Sequence, residues 1–146
     1  MMQELLQSEI QVVMDVDHPN IVKFYQCVYD NKYINIVMEL VEGQPLSNYL
    51  IQNEKLPEKH CQVIMRQFMH AIKYVHSRGI VHRDLKLDNV MISGTETGDI
   101  NDLKIKLIDF GMAKLTLRDN RKIELKTYCG TIDFIAPEIL AGKTYD

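Results

Sequence analysis

Between Pro57 and Gly79, Cys61, Ile64, Met65, Phe68, Ala71, Ile72 and Val75 recur at intervals of three or four residues, with no breaker among them. That spacing lines one face of an α-helix. Pro57 suits a helix entrance, where a missing N–H breaks no intrahelical bond, and Ser77-Arg78-Gly79 ends on a glycine fit for a left-handed C-cap. The pattern predicts a helix over Glu58–Ser77. That helix is the best core element in the chain.

Short strands follow it. Ile80-Val81, Val90-Met91-Ile92 and Ile105-Lys106-Leu107-Ile108 are β-branched runs, with a polar loop from Ser93 to Asp102 between the last two. Upstream, Ile21 to Tyr29 and Tyr33 to Leu40 flank the turn-forming Asp30-Asn31-Lys32 and read as an antiparallel hairpin. Val41-Glu42-Gly43-Gln44-Pro45 breaks the regularity, and Leu46 to Ile51 is a short helix. At the start, Leu5, Leu6, Glu9, Ile10, Val12, Val13 and Val16 follow a helical stripe that stops before His18-Pro19-Asn20, where proline disfavours helix. Helix, hairpin, helices, short strands and a long irregular segment make an α+β arrangement without internal repeats.

Charge and cysteine content exclude several classes of function. Lys plus Arg number 17 against 20 Asp plus Glu, a net charge of −3, which leaves no basic footprint for nucleic acid or an acidic membrane. Cys27, Cys61 and Cys129 are odd in number and far apart, unlike a disulfide framework or a Cys-x-x-Cys metal knuckle. With no basic-then-apolar leader at Met1-Met2-Gln3-Glu4 and no apolar run of spanning length, the expected location is cytoplasmic or nuclear.

The chemistry-bearing residues are concentrated in three motifs. His82-Arg83-Asp84-Leu85-Lys86-Leu87-Asp88-Asn89, then Asp109-Phe110-Gly111, then Ala136-Pro137-Glu138 resemble the catalytic loop, metal-binding turn and activation-segment anchor of eukaryotic protein kinases. Phosphoryl transfer asks a protein to position a nucleophile and neutralise charge, so one orienting carboxylate and hard-oxygen metal ligands suffice. By the resemblance, Asp84 is the base or orienting residue, and Lys86 contacts the transferred phosphate. Asn89 and Asp109 hold Mg²⁺, and Arg83 faces an activating phosphate. Lysine two residues after that aspartate marks the serine/threonine class. Singly, each of these acids would be an ordinary solvated loop residue; their joint spacing carries the inference.

The resemblance implies further roles. Glu9 stands where the family places the glutamate that pairs with an ATP-anchoring lysine. The Glu39 and Val41 backbone bonds the adenine edge, Met38 is the gatekeeper and Met91 packs under the base, so that ATP is the implied cofactor together with Mg²⁺. His82 joins Phe110, Val13 and Phe24 in an apolar column, where core filling and the family role coincide. Thr127-Tyr128-Cys129-Gly130-Thr131 is similar to the activation segment of basophilic and calmodulin-dependent kinases. Thr127 is the expected phosphosite, where an upstream activating kinase would add about −1.5 to −2 charges opposite Arg83. Thr131 lines the substrate's approach and bonds Asp84 and Lys86. Ile132 and Phe134 depart from the usual proline and tyrosine, and the loop Ser93 to Asp102 is longer than usual.

The expected architecture is therefore a partial protein-kinase fold. Residues 1–40 are a remnant of the small lobe, with its helix and last hairpin; 41–45 are the hinge; 46–146 are the first half of the helical lobe. The glycines at 43, 79, 94, 98, 111, 130 and 142 never form Gly-x-Gly, and no lysine precedes Lys23. A phosphate-covering loop and its lysine are thus not among these residues, and poor stability of the isolated chain is expected. The expected function is a fragment of a serine/threonine kinase acting on protein hydroxyls. The competing expectation is a catalytically inactive kinase-like module that titrates a kinase's partner. Small-molecule kinases are a remote third, disfavoured by Ala136-Pro137-Glu138 and the Thr127 region.

Overall fold

The computed structural model describes residues 13–30, 33–118, 121–126 and 129–145. Its centre is the predicted helix, here α2 (Glu58–Ser77), and the three-stranded antiparallel sheet against which it lies. That sheet has β3 (Gln44–Pro45) on one edge, β5 (Val90–Ser93) in the middle and β6 (Lys104–Leu107) on the other edge. Val90 pairs with Leu107 and Ile92 with Ile105. Ile92, Ile105 and Leu107 are at most 1% exposed and meet Ile64, Ala71, Ile72 and Val75 of α2. Each such buried aliphatic side chain contributes roughly 1.5–3 kcal/mol relative to leaving it in water.

Helix α2 begins and ends as its sequence dictates. Pro57 is the N-cap residue, Gly79 takes φ 68° and donates its N–H to the His76 carbonyl at 2.9 Å. The stripe is only partly used, however. Cys61 and Met65 are exposed, as is Met69, because β4 (Ile80–Val81), β6 and the 3₁₀ turn Ile100–Asp102 cover one side of the helix.

Residues 41–45 are not simply a break. Gln44 and Pro45 form β3, pairing with Ile92 and Met91, and Pro45 then caps α1 (Leu46–Asn53). Proline is tolerated there because β3 is an edge strand. Gly43 makes the approach workable: at φ 125°, a Cβ would collide with the Ile92 carbonyl.

The hairpin is as expected: β1 (Phe24–Tyr29) pairs antiparallel with β2 (Ile34–Met38), with an irregular register between Phe24 and Gln26. It is tied to the main sheet through its lead-in segment, where Val22 donates to Leu107 and Leu107 donates to Asn20, at 2.9 and 2.8 Å. Beyond β6, the chain forms β7 (Lys114–Leu115) on β4, then a hairpin of β8 (Leu117–Arg118) and β9 (Arg121–Lys122) that local sequence did not announce. The short helix α3 (Pro137–Leu140) follows. Among the described residues, no helix is long and apolar enough to cross a membrane.

Candidate active site

The loop between β4 and β5 carries His82 to Asn89, so both of its ends are anchored in sheet. Arg83 (φ 68°) and Asp109 (φ 60°) adopt left-handed backbone that non-glycine residues avoid. Strain of this kind persists only where surrounding structure holds it, typically at functional sites. His82 supplies part of that hold. It is 1% exposed, its Nε2 lies 3.2 Å from the Ile108 carbonyl, and its Nδ1 accepts the Asp84 N–H at 3.3 Å. Those partners require the neutral ring with its proton on Nε2. Burial lowers its pKa, and the Ile108 carbonyl and the nearby Asp109 and Asp84 only partly oppose that.

His82 also stacks against Phe110, ring centroids 4.8 Å apart, and Phe110 meets Phe24 edge-on at 6.0 Å. Val13 lines the same cavity as both phenylalanines. The apolar column expected from sequence is thus assembled, linking the metal-binding turn to the hairpin.

Asp84 is the hub of the polar site and is 6% exposed. One carboxylate oxygen accepts the Thr131 hydroxyl at 2.7 Å and the Thr131 amide at 3.0 Å. The other lies 2.9 Å from the Lys86 ammonium and 3.1 Å from the Asn89 amide nitrogen. Lys86 also donates to the Thr131 hydroxyl at 2.8 Å. Burial pushes the Asp84 pKa up, yet the Thr131 hydroxyl, the Lys86 ammonium and the Thr131 amide together outweigh it and bring it down to about 2. The carboxylate is therefore charged throughout the physiological range.

Asn89 and Asp109 fit a hard cation. The Asn89 nitrogen is directed at the Asp84 carbonyl (2.9 Å) and carboxylate, which presents its amide oxygen as the remaining donor. Asp109 is exposed, and one of its oxygens accepts the Gly111 amide at 3.1 Å. Among the described residues, no three His, Cys, Asp or Glu side chains converge on a metal-sized site. A carboxylate and an amide oxygen completed by phosphate oxygens and water is the donor set Mg²⁺ accepts.

The residues expected around the nucleotide fall into two cavities. Met38 lines a space of about 300 Å³ with Phe24, Asp109, Phe110 and Gly111. Glu39, Val41 and Met91 line a second, of about 480 Å³. The Glu39 amide already donates to the Lys23 carbonyl at 2.8 Å. Its side chain is ion-paired with Lys106 at 2.7 Å and accepts the Lys23 amide at 3.1 Å. The bond from Lys106 is the main cause of a lowered Glu39 pKa; partial burial opposes it. Lys106 escaped the sequence reading; its only signal was a lysine inside an otherwise apolar strand. Glu9 and Thr127 lie outside the described residues. Arg83 is held through its Nε by the Met112 carbonyl, and its Nη1 lies 3.5 Å from the Tyr145 hydroxyl.

A loop that gathers Lys86, Asn89 and Thr131 on the Asp84 carboxylate, followed by an Asp-Phe-Gly turn, is the pattern of a phosphoryl-transfer fold. The chain belongs to the protein kinase family: the family model described as "Protein kinase domain" matches residues 1–146. It is 37% identical over 139 residues to sperm motility kinase 2B of Mus musculus, covering 95% of this chain and 27% of that protein. Against a probable myosin light chain kinase of Dictyostelium discoideum it is 40% identical over 135 residues, covering 92% of this chain and 41% of that one. Against testis-specific serine/threonine-protein kinase 3 of Homo sapiens it is 36% identical over 146 residues, covering 99% and 51%. The chain thus spans between about a quarter and a half of the length of these relatives.

Proposed function

We propose that the protein carrying this chain transfers the γ-phosphoryl group of ATP to serine or threonine hydroxyls of protein substrates, with Mg²⁺ as the metal. The observation that carries this is the arrangement of Lys86 and Thr131 on the buried Asp84 carboxylate. A carboxyl with a pKa of about 2 is a weak base, so Asp84 acts mainly by accepting a hydrogen bond that orients the attacking hydroxyl. The Thr131 hydroxyl donates to Asp84 at 2.7 Å, a contact of the kind this reading assigns to the substrate hydroxyl. Lys86, within reach of the same spot, supplies positive charge for the phosphoryl oxygens. Asn89 and Asp109 would hold Mg²⁺, which when bound neutralises phosphate charge. Glu39 and Val41 would bond the adenine edge, with Met38 and Met91 as apolar walls.

Titration of the full-length protein with Mg·ATP tests the reading. Saturable binding that weakens at least tenfold in Asp109→Asn is the expected result. No binding at millimolar Mg·ATP would overturn it and leave a non-catalytic, kinase-like binding module in its place.

A further inference from the structure

Arg83 has two partners besides the catalytic loop itself, and they come from far along the chain. Its Nε donates to the carbonyl of Met112, just after the Asp109-Phe110-Gly111 turn, and its Nη1 lies 3.5 Å from the Tyr145 hydroxyl. The same hydroxyl is 3.7 Å from the Cys129 thiol. Tyr145 is also fixed through its backbone: it exchanges two hydrogen bonds with Leu125, at 2.8 and 3.0 Å, as an isolated antiparallel bridge. Leu125 is 3% exposed, so this bridge is rooted in packed structure.

The bridge closes the segment from Leu125 to Tyr145 into a loop, and Thr131, the partner of Asp84 and Lys86, sits inside it. Gly130 brings that loop against the catalytic loop. It has φ 108°, and a Cβ there would lie 2.7 Å from the Arg83 carbonyl. Arg83 itself has a left-handed backbone that relaxes unless its side chain is held.

We infer that Tyr145 is a positioning residue of the phosphoryl-transfer centre. Its hydroxyl between Arg83 and Cys129, with its backbone bridge to Leu125, holds the Thr131 loop against Asp84. Tyr145 touches neither Asp84 nor Lys86; it acts through Arg83 and through the closed loop. The activity part of this inference rests on the kinase function proposed above, and the structural part does not.

The test is Tyr145→Phe in the full-length protein, which keeps the ring and the backbone bridge and removes only the hydroxyl. Two readouts are needed: steady-state kinetics with Mg·ATP and a Ser-containing peptide, and amide hydrogen exchange. A hydrogen bond to a charged group, here a long one, supports an expected fall in kcat of about tenfold. KM for ATP should change less than twofold, because the hydroxyl lies away from the nucleotide residues. Exchange at residues 123–126 and 129–135 should accelerate at least threefold, with α2 unchanged. An active variant with wild-type kcat overturns the inference, as does slowed turnover accompanied by faster exchange across α2, which would mark general destabilisation. If the wild-type protein transfers no phosphate, the proposed function fails by itself. Exchange then decides: acceleration confined to 123–126 and 129–135 sustains the clamp, and unchanged exchange overturns it.

Discussion

The sheet β3-β5-β6 and the hairpin β1-β2 are both antiparallel, yet among the described residues only the sheet is sealed. In the sheet, Val90, Ile92, Ile105 and Leu107 are 0–3% exposed, sealed by α2. In the hairpin, Ile34, Ile36, Val37 and Met38 are each 39% exposed or more, and Phe24 is the buried residue that joins it to the rest. The loop from His82 to Asn89 grows from the sealed region, and Met38, the wall of the proposed nucleotide side, from the open one. A polar network of four interlocked groups needs a rigid bed, because a buried charge left partly unpaired is costly. A wall that only excludes water and touches a flat ring can be ordered more loosely.

The largest effects should come from the sealed side. Lys86→Ala and Asn89→Ala are each expected to lower kcat by about 10²–10³-fold. Val37→Ser, on the hairpin face away from the Met38 cavity, should move it by less than about threefold, a surface change of the usual small size. Comparable losses from Val37→Ser would break the comparison. Stability should divide the same way. Leu107→Ala opens a cavity in the sheet core and should cost about 2–5 kcal/mol in urea unfolding, whereas Val37→Ala should cost less than about 1 kcal/mol. Equal costs would mean the hairpin is as firmly packed as the sheet.

Thr131→Val is a finer probe. It removes the hydroxyl that does most to hold Asp84 down, so the carboxyl should titrate above about 2 when followed by carbon-13 NMR, with a stability loss of about 1–2 kcal/mol. An unmoved titration would assign the depression to Lys86. The smallest effect is in pH. His82 is buried neutral with a lowered pKa, so the stability it contributes is complete above its ordinary value near 6.5 and is lost as pH falls below it. Asp84, held low, contributes fully above about 4 and loses its share only as pH falls toward about 2. Urea midpoints at pH 7.5 and 5.5 should therefore differ in wild type and differ less in His82→Gln, where His18, its pKa also lowered by burial, supplies the remainder. An undiminished midpoint difference in the variant would place the titrating group elsewhere.

The sequence disclosed the parts of the molecule whose cause is local. Helix α2 could be bounded because Pro57 and Gly79 mark its ends and its stripe lies between them. The catalytic loop could be placed because its residues are contiguous. The partners of Asp84 were legible only through the family resemblance, since Thr131 is 47 residues away. What stayed hidden is non-local or depends on an exception. Pro45 in β3 argued against a strand, and only its edge position permits one. The pairing of Glu39 with Lys106, 67 residues apart, and of Arg83 with Tyr145, 62 apart, leaves no trace in periodicity. Cys61 and Met65 belong to the α2 stripe by spacing but face outward, because spacing shows which residues share a face and not how much of it is covered.

The most direct test of the Asp84-centred site is transfer of labelled γ-phosphate from Mg·ATP to a Ser/Thr peptide by the full-length protein, compared with Asp84→Asn. The asparagine keeps the shape and removes the charge. Measurable transfer by the wild type, reduced about 10³-fold or more in the variant with Mg·ATP binding retained, is the predicted result. Equal transfer by the two proteins would contradict the assignment of Asp84 as the residue that orients the attacking hydroxyl.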